Sequence, residues 1–518
     1  MNSLGRIAAI VRTDFLLRFR RVSTVVVFLL LSAFAYLWVP APSTGRTLIQ
    51  INGQRAIYNS GALGLATASL GMIFVGLFGY YVISNAIRRD ITTRCGFVIA
   101  ATPMRSIEYL LGKFCGNLAF LVTFLGGFML SSMAMLLVRG EARLEPLVFI
   151  RQYFLLASPA IVLVSATAVF FESVRFLSGK FGDVIYFFLF MTFIGLVAGN
   201  EASGGRIPWA RCFDFSGFGF LISEMQHTLH TESVSIGSSP FDPAKPTIVF
   251  PGLTMTRDWL IPRIVSLILP LTLLPAAALV FHRFDPVRIG RTTGTSHRKW
   301  LSKLQSLLKP FSRRVVALLM IPARGNSFAA AVWQDAVLTF TLSPIALIAL
   351  VVMSFVGLRS GNLSIVFAVL AIVICDVATR DVRAGTVVSL YAAPRLRERF
   401  ALWKFGSTCL TSLLFCLAPL VAAMATGSPR FLALIVALVF VSALATLLGV
   451  VTQNAKTFIV VFLSFWYLVV NDKGATPMLD FAGFNHVATP RTIATYAVVG
   501  IAAILLAHMT HRMRLARI

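Results

Sequence analysis

Charge is scarce in this sequence, and negative charge scarcest of all. Only 13% of the 518 residues are charged, with 20 Asp and Glu against 46 Lys and Arg. Hydrophobic residues make up 57%, and the mean hydropathy is +0.83, which excludes an ordinary soluble domain. A net charge of +26 would suggest nucleic acid as the partner of a soluble protein. Beside repeated apolar runs of bilayer length it instead reads as the basic excess of cytoplasmic loops, so no nucleic acid is expected. Cysteine is also sparse. The six lie at positions 95, 115, 212, 375, 409 and 416 with no CxxC pair, which supports neither a disulfide framework nor a zinc site. No GxxxxGK[ST] stretch occurs, so the chain lacks a phosphate-cradling loop for ATP. The first apolar run ends at Pro40 without a small-residue cleavage site, unlike a signal peptide.

What is present is a series of apolar runs separated by polar connectors. Runs at Val22 to Val39, Leu65 to Ile87, Leu110 to Val138, Tyr153 to Phe171, Val184 to Ala198 and Leu260 to Phe281 predict six membrane spans in a first half. A second set follows at Val337 to Val356, Leu363 to Ala378, Phe405 to Ala425, Phe431 to Val451, Thr457 to Val470 and Ile493 to Met509. The fold expected is therefore an all-α polytopic membrane protein of about twelve spans in two homologous halves. The halves are 1–282 and 326–518, joined by a basic linker, 283–325. Arg283 to Arg324 carries ten Lys or Arg and one acidic residue, which places the linker and both termini in the cytoplasm. Pro262, Pro270 and Pro275 predict bends in the sixth span.

Residues Leu4 to Arg20 interleave Ile7, Ile10, Val11, Phe15 and Leu16 with Arg6, Arg12, Arg18 and Arg20, the pattern of an interfacial helix. Asn326 to Thr341 parallels it, with Asp335 matching Asp14. Asn52-Gly53 between alternating apolar flanks predicts a two-residue hairpin on the outside. Gly199 to Trp259 holds no spanning run and reads as an outside loop.

One stretch occurs twice. Arg89 to Lys113, RDITTRCGFVIAATPMRSIEYLLGK, returns at Arg380 to Lys404 as RDVRAGTVVSLYAAPRLRERFALWK, at a constant offset of 291 residues. Each copy joins two apolar runs. The Arg-Asp start, the fixed Pro and the closing Lys predict a short surface helix ending near Thr102 or Ala393, before a turn into the next span.

These residues resemble a family. Arg380-Asp381-x-x-x-Gly385-Thr386, followed by Leu390, Pro394 and Lys404, is similar to the cytoplasmic loop after the second helix in membrane subunits of ATP-binding-cassette exporters of the type-2 permease family. Arg89, Asp90, Ile99, Pro103, Leu111, Gly112 and Lys113 repeat the pattern, with Arg94-Cys95-Gly96 where Gly-Thr is expected. The resemblance implies an elbow helix before the first span of each half and coupling helices that dock on two copies of a separate ATPase subunit. It also implies a path between two six-span halves of a cytoplasmic (inner) membrane exporter. ATP and Mg would then be held by the partner, with no cofactor and no catalytic residue in this chain. The residues expected to couple to that partner are Arg89, Asp90, Pro103, Lys113, Arg380, Asp381, Gly385, Pro394 and Lys404.

Other chemistries are weaker in the sequence. Glu224, His227, His230 and Glu232 sit in EMQHTLHTE without the enforced geometry of HExxH, so no metal site is expected. Glu172, Arg175, Asp183 and Asp376 fall near predicted span ends rather than mid-depth, which counts against an ion-coupled secondary transporter. A polytopic enzyme such as a lipid-linked glycosyltransferase would want paired outside carboxylates. The first outside loop, Ala41 to Ala62, has none.

Overall fold

A computed structural model describes residues 2–20, 39–41, 45–174, 176–229, 234–282, 327–342, 344–425 and 430–516, together with 284, 320 and 325. Of the described residues, 75% are helical. Among the described residues, eight helices are long and apolar enough to cross a membrane, or ten if two bent pairs each count as one span. The described residues group into two compact units, Met1–Thr293 and Gly294–Ile518. The expected first span, apart from Val39, and nearly all of the linker 283–325 lie outside the described residues.

In the first unit, α1 (Ser3–Phe19) precedes a hairpin of β1 (Arg46–Ile51) and β2 (Gln54–Arg55). Its turn is the expected one, with Asn52 at φ 51° and Gly53 at φ 82°, the left-handed pair a type I′ turn requires. The next helix, α2 (Ser60–Phe74), is capped by Asn59, whose side chain accepts the Ala62 amide at 2.8 Å. Its small-residue run GALGLATASLG lets neighbouring backbones approach closely, and every residue from Ser60 to Met72 is buried. A π-turn at Val75–Gly79 leads into α3 (Tyr80–Ile83), and the chain breaks at Ser84 and Asn85 before α4 (Ala86–Thr92) and α5 (Cys95–Ala100). Three long helices follow: α6 (Ser106–Arg139), α7 (Pro146–Ser173) and α8 (Lys180–Ala202).

The segment expected as an outside loop contains regular structure. It contains α9 (Phe218–Leu229) and β3 (Val234–Pro240), and β3 pairs antiparallel with β1 in a sheet of order β2-β1-β3. The all-α expectation is thus amended by one small sheet. VSIGSSP lacks strict alternation of apolar and polar residues, so its pairing is set by β1 and not by its own pattern. Helices α10 (Arg257–Ile268) and α11 (Leu273–Val280) flank a tighter turn at Leu269–Thr272 that holds Pro270, one of the expected bends.

The second unit opens with α12 (Phe328–Leu342) and α13 (Pro344–Val356), bent by 98°. The expected span from Val337 therefore runs across this bend, with residues up to Leu342 in α12 and the rest in α13. Pro344 has no N–H to continue the ladder, which ends the helix there. The twelve-residue α14 (Leu363–Ile374) leads to α15 (Arg380–Ala384), α16 (Val387–Tyr391) and α17 (Pro394–Glu398). Then come α18 (Phe400–Phe415) and α19 (Leu417–Ala425), bent by 65° where Pro419 cannot donate to the Phe415 carbonyl. Helices α20 (Arg430–Thr452), α21 (Ala455–Asp472) and α22 (Pro490–Leu515) complete the unit.

Candidate functional site

Each copy of the repeated stretch is built around a lysine held between two aspartates. In the first unit, Gly112 and Gly116 of α6 leave room for α1, and a Cβ added at Gly112 would lie 2.9 Å from Ile10. That close approach brings Asp14 of α1 to Lys113 of α6, 3.0 Å between Oδ1 and Nζ. The same ammonium lies 2.6 Å from Asp90 Oδ2 on α4, and Arg89 Nη2 lies 2.6 Å from Asp14 Oδ1. The four side chains therefore join three helices through one chain of opposite charges.

The second unit repeats this arrangement. Lys404 Nζ lies 3.0 Å from Asp335 Oδ1, pairs with Asp381, and is fully buried. Arg380 pairs with Asp335 and donates to Thr339 Oγ1 at 3.0 Å. Here α12 is fixed to α18 by the Trp403 indole, which donates to the Ala331 carbonyl at 2.9 Å. Trp403 occupies the position of Gly112, so close approach in one half is replaced by a hydrogen bond in the other.

The two clusters differ in charge and bonding. Arg18 stands four residues after Asp14, buried, 3.8 Å from its Oδ2, and donates to Asn117 Oδ1 at 2.7 Å. It thus leaves the solvent-facing basic face expected for it, and Thr339 takes its place in the second unit. The first cluster holds three cations and two carboxylates, the second two of each. Tyr109 donates to Asp90 Oδ2 at 2.7 Å, where the second copy has Phe400 and no hydroxyl.

Backbone contacts set the angle of α4. The Glu172 carboxylate at the end of α7 accepts the amides of Asn85, Ala86 at 3.1 Å, Ile87 at 2.6 Å and Arg88 at 3.3 Å. A carboxylate against the free N–H groups of a helix start satisfies donors that otherwise lack partners. After α4, Arg94 adopts φ 60°, and Gly385 at the matching position adopts φ 70°. The departure at Arg94-Cys95 therefore keeps the turn that Gly385-Thr386 makes.

The residues expected to meet a partner thus divide into two sets. Arg89, Asp90, Lys113, Arg380, Asp381 and Lys404 face inward and bind connector, elbow and following helix together. Pro103 and Gly385 are exposed, and Pro394 opens α17. The short helices end at Ala100 and Tyr391, two residues before the expected Thr102 and Ala393. The open surface of the first connector instead offers Phe97 and Val98, the latter 70% exposed, with Thr92, Thr93 and Arg94 beside them. Val382 is exposed on the second.

A second repeat escaped the sequence reading. Asp214-Phe-Ser-Gly-Phe218 returns as Asp480-Phe-Ala-Gly-Phe484, the first at the start of α9 and the second before α22. Asp214 Oδ2 accepts the Phe220 amide at 2.8 Å, and Asp480 accepts those of Asn485 at 3.3 Å and Val487 at 3.0 Å. Gly217 and Gly483 sit at φ 73° and 69°. Burial pushes the Asp214 carboxyl above its ordinary range, and the positive charge of Arg263 opposes the shift. The signal was available as a shared DFxGF, but at an offset of 266 residues it falls out of step with the connector repeat. Of EMQHTLHTE, Glu224 is buried and accepts the Thr256 hydroxyl at 2.5 Å, while His227 is exposed. His230 and Glu232 lie outside the described residues.

Comparison with family models, with curated proteins and with solved structures finds no match.

Proposed function

We propose that this chain is the membrane permease of an ATP-driven exporter whose ATPase is a separate cytoplasmic chain. The observation that carries this reading is the duplicated clamp: the same Asp, Arg-Asp and Lys lock a surface connector to two helices in each unit. A connector that must pass on a push from a partner has to be rigidly joined to the spans it moves. A buried network of paired charges supplies that rigidity, because separating any one charge leaves another unpaired. Two such connectors suit two copies of an ATPase, with ATP and Mg on the partner.

In this reading the chain crosses the cytoplasmic membrane twelve times in two six-span halves, with both termini and both connectors in the cytoplasm. Eight long helices, two bent pairs, the short α14 and the apolar run at 22–39 supply twelve segments. Phe97, Val98 and Val382 form part of the docking surface, and the buried residues position it. Affinity purification from native membranes tests the proposal. A soluble chain carrying GxxxxGK[ST] is expected in the complex, and its absence under mild detergent overturns the reading.

A further inference from the structure

We propose that the cavity between α16, α17 and the end of α22 binds the headgroup phosphate of an anionic phospholipid. The cavity holds about 480 Å3, and Tyr391, Arg397, Glu398 and Arg512 line it. Two basic side chains and one acidic side chain thus belong to its lining. Among the described residues neither arginine forms an ion pair, whereas the nearby Arg514 is committed to the carbonyls of Val450 and Val451. The arginines are held on facing elements, because His511 Nε2 lies 2.7 Å from the Arg397 carbonyl and its ring stacks on Phe400. Two arginines brought to one open cavity suit a phosphate, for which a guanidinium offers paired donors.

The helix that carries Arg512 argues for a lipid as the source. Val498, Ile501, Leu505 and Met509 precede Arg512 at spacings of three and four, hence on one face, and all four are more than half exposed in this unit. An acyl chain can lie along that stripe while its headgroup sits between the arginines. A soluble phosphate or an acidic protein segment has no use for the stripe. Basic pockets between helices at the cytoplasmic side are a recurrent form of lipid recognition. The inference rests on the chain being membrane-spanning with α22 ending in the cytoplasm, and it does not require the ATPase.

Native mass spectrometry and melting of the full chain in nanodiscs test it, with phosphatidylglycerol against phosphatidylcholine. Wild type should retain phosphatidylglycerol about thirtyfold more tightly than phosphatidylcholine, as two basic contacts imply. It should also melt higher in nanodiscs that contain phosphatidylglycerol. Arg397→Gln with Arg512→Gln should abolish both preferences while melting like wild type in phosphatidylcholine alone. Arg383→Gln, on the exposed side of α15, should keep both. Equal retention of the two lipids by wild type overturns the site without recourse to any variant. So does displacement of the lipid by inorganic phosphate at equal concentration, which assigns the pocket to a soluble anion. Occupation by an acidic peptide with no lipid preference assigns it to a protein partner and likewise overturns the proposal.

Discussion

Lys404 shows what a single residue does in this protein. Its ammonium is fully buried and shared between Asp335 and Asp381, on helices far apart in sequence. Such a group is costly to bury, and once buried it is costly to remove, since two carboxylates lose their counter-charge. Lys404→Met should therefore destabilise the second unit by about 3–5 kcal/mol, the range for breaking a buried pair. Thermal unfolding of the purified chain measures this. Combining Lys404→Met with Asp381→Leu should recover part of the loss, because one stranded charge disappears with the lysine. The six charged positions were visible in the sequence as a repeat, but their inward orientation was not. A surface connector and a buried clamp have the same composition, and only the approach of α1 and α12 decides between them.

At the scale of elements, the connectors depend on one left-handed residue each. Gly385 adopts φ 70° with open space where a Cβ would stand, so Gly385→Ala costs only backbone strain, about 1 kcal/mol. Arg94 already carries that strain at φ 60°, and Arg94→Gly should be neutral or stabilising. A lower melting temperature for the first change and an unchanged or higher one for the second check the pair. A different element senses pH. The Arg55 guanidinium bonds Glu141 at 2.7 and 2.9 Å, tying the hairpin to the chain after α6, and holds the Glu141 carboxyl below its ordinary value. A depressed carboxylate stabilises fully above its unfolded pKa, near 4.3, and the contribution fades as pH falls through the folded value. Limited proteolysis of the hairpin should accordingly be unchanged from pH 8 to 6 and accelerate below about pH 4.5, with Glu141→Gln abolishing that dependence. The hairpin turn was legible because Asn-Gly is locally determined. The partner strand β3 was not, since its pairing is made across the sheet. The 98° break before Pro344 was hidden by continuous apolar composition, which carries no information on direction.

For the whole molecule, the two units share a plan and differ in how each is fastened. Gly112 and Gly116 bring α1 close in one, and Trp403 bonds α12 in the other. The first cluster has a surplus cation in Arg18, and the second is balanced. The two clamps therefore differ in charge balance and in bonding. On the proposed function, the exposed connector surface receives a motor protein. A photo-crosslinking amino acid placed at Val98, and separately at Val382, in cells that make the native partners tests this most directly. A covalent adduct is expected from each position to a soluble chain carrying GxxxxGK[ST], and none from Val498 on α22. Adducts to lipid alone, or an ATPase captured elsewhere but never from the connectors, would contradict it.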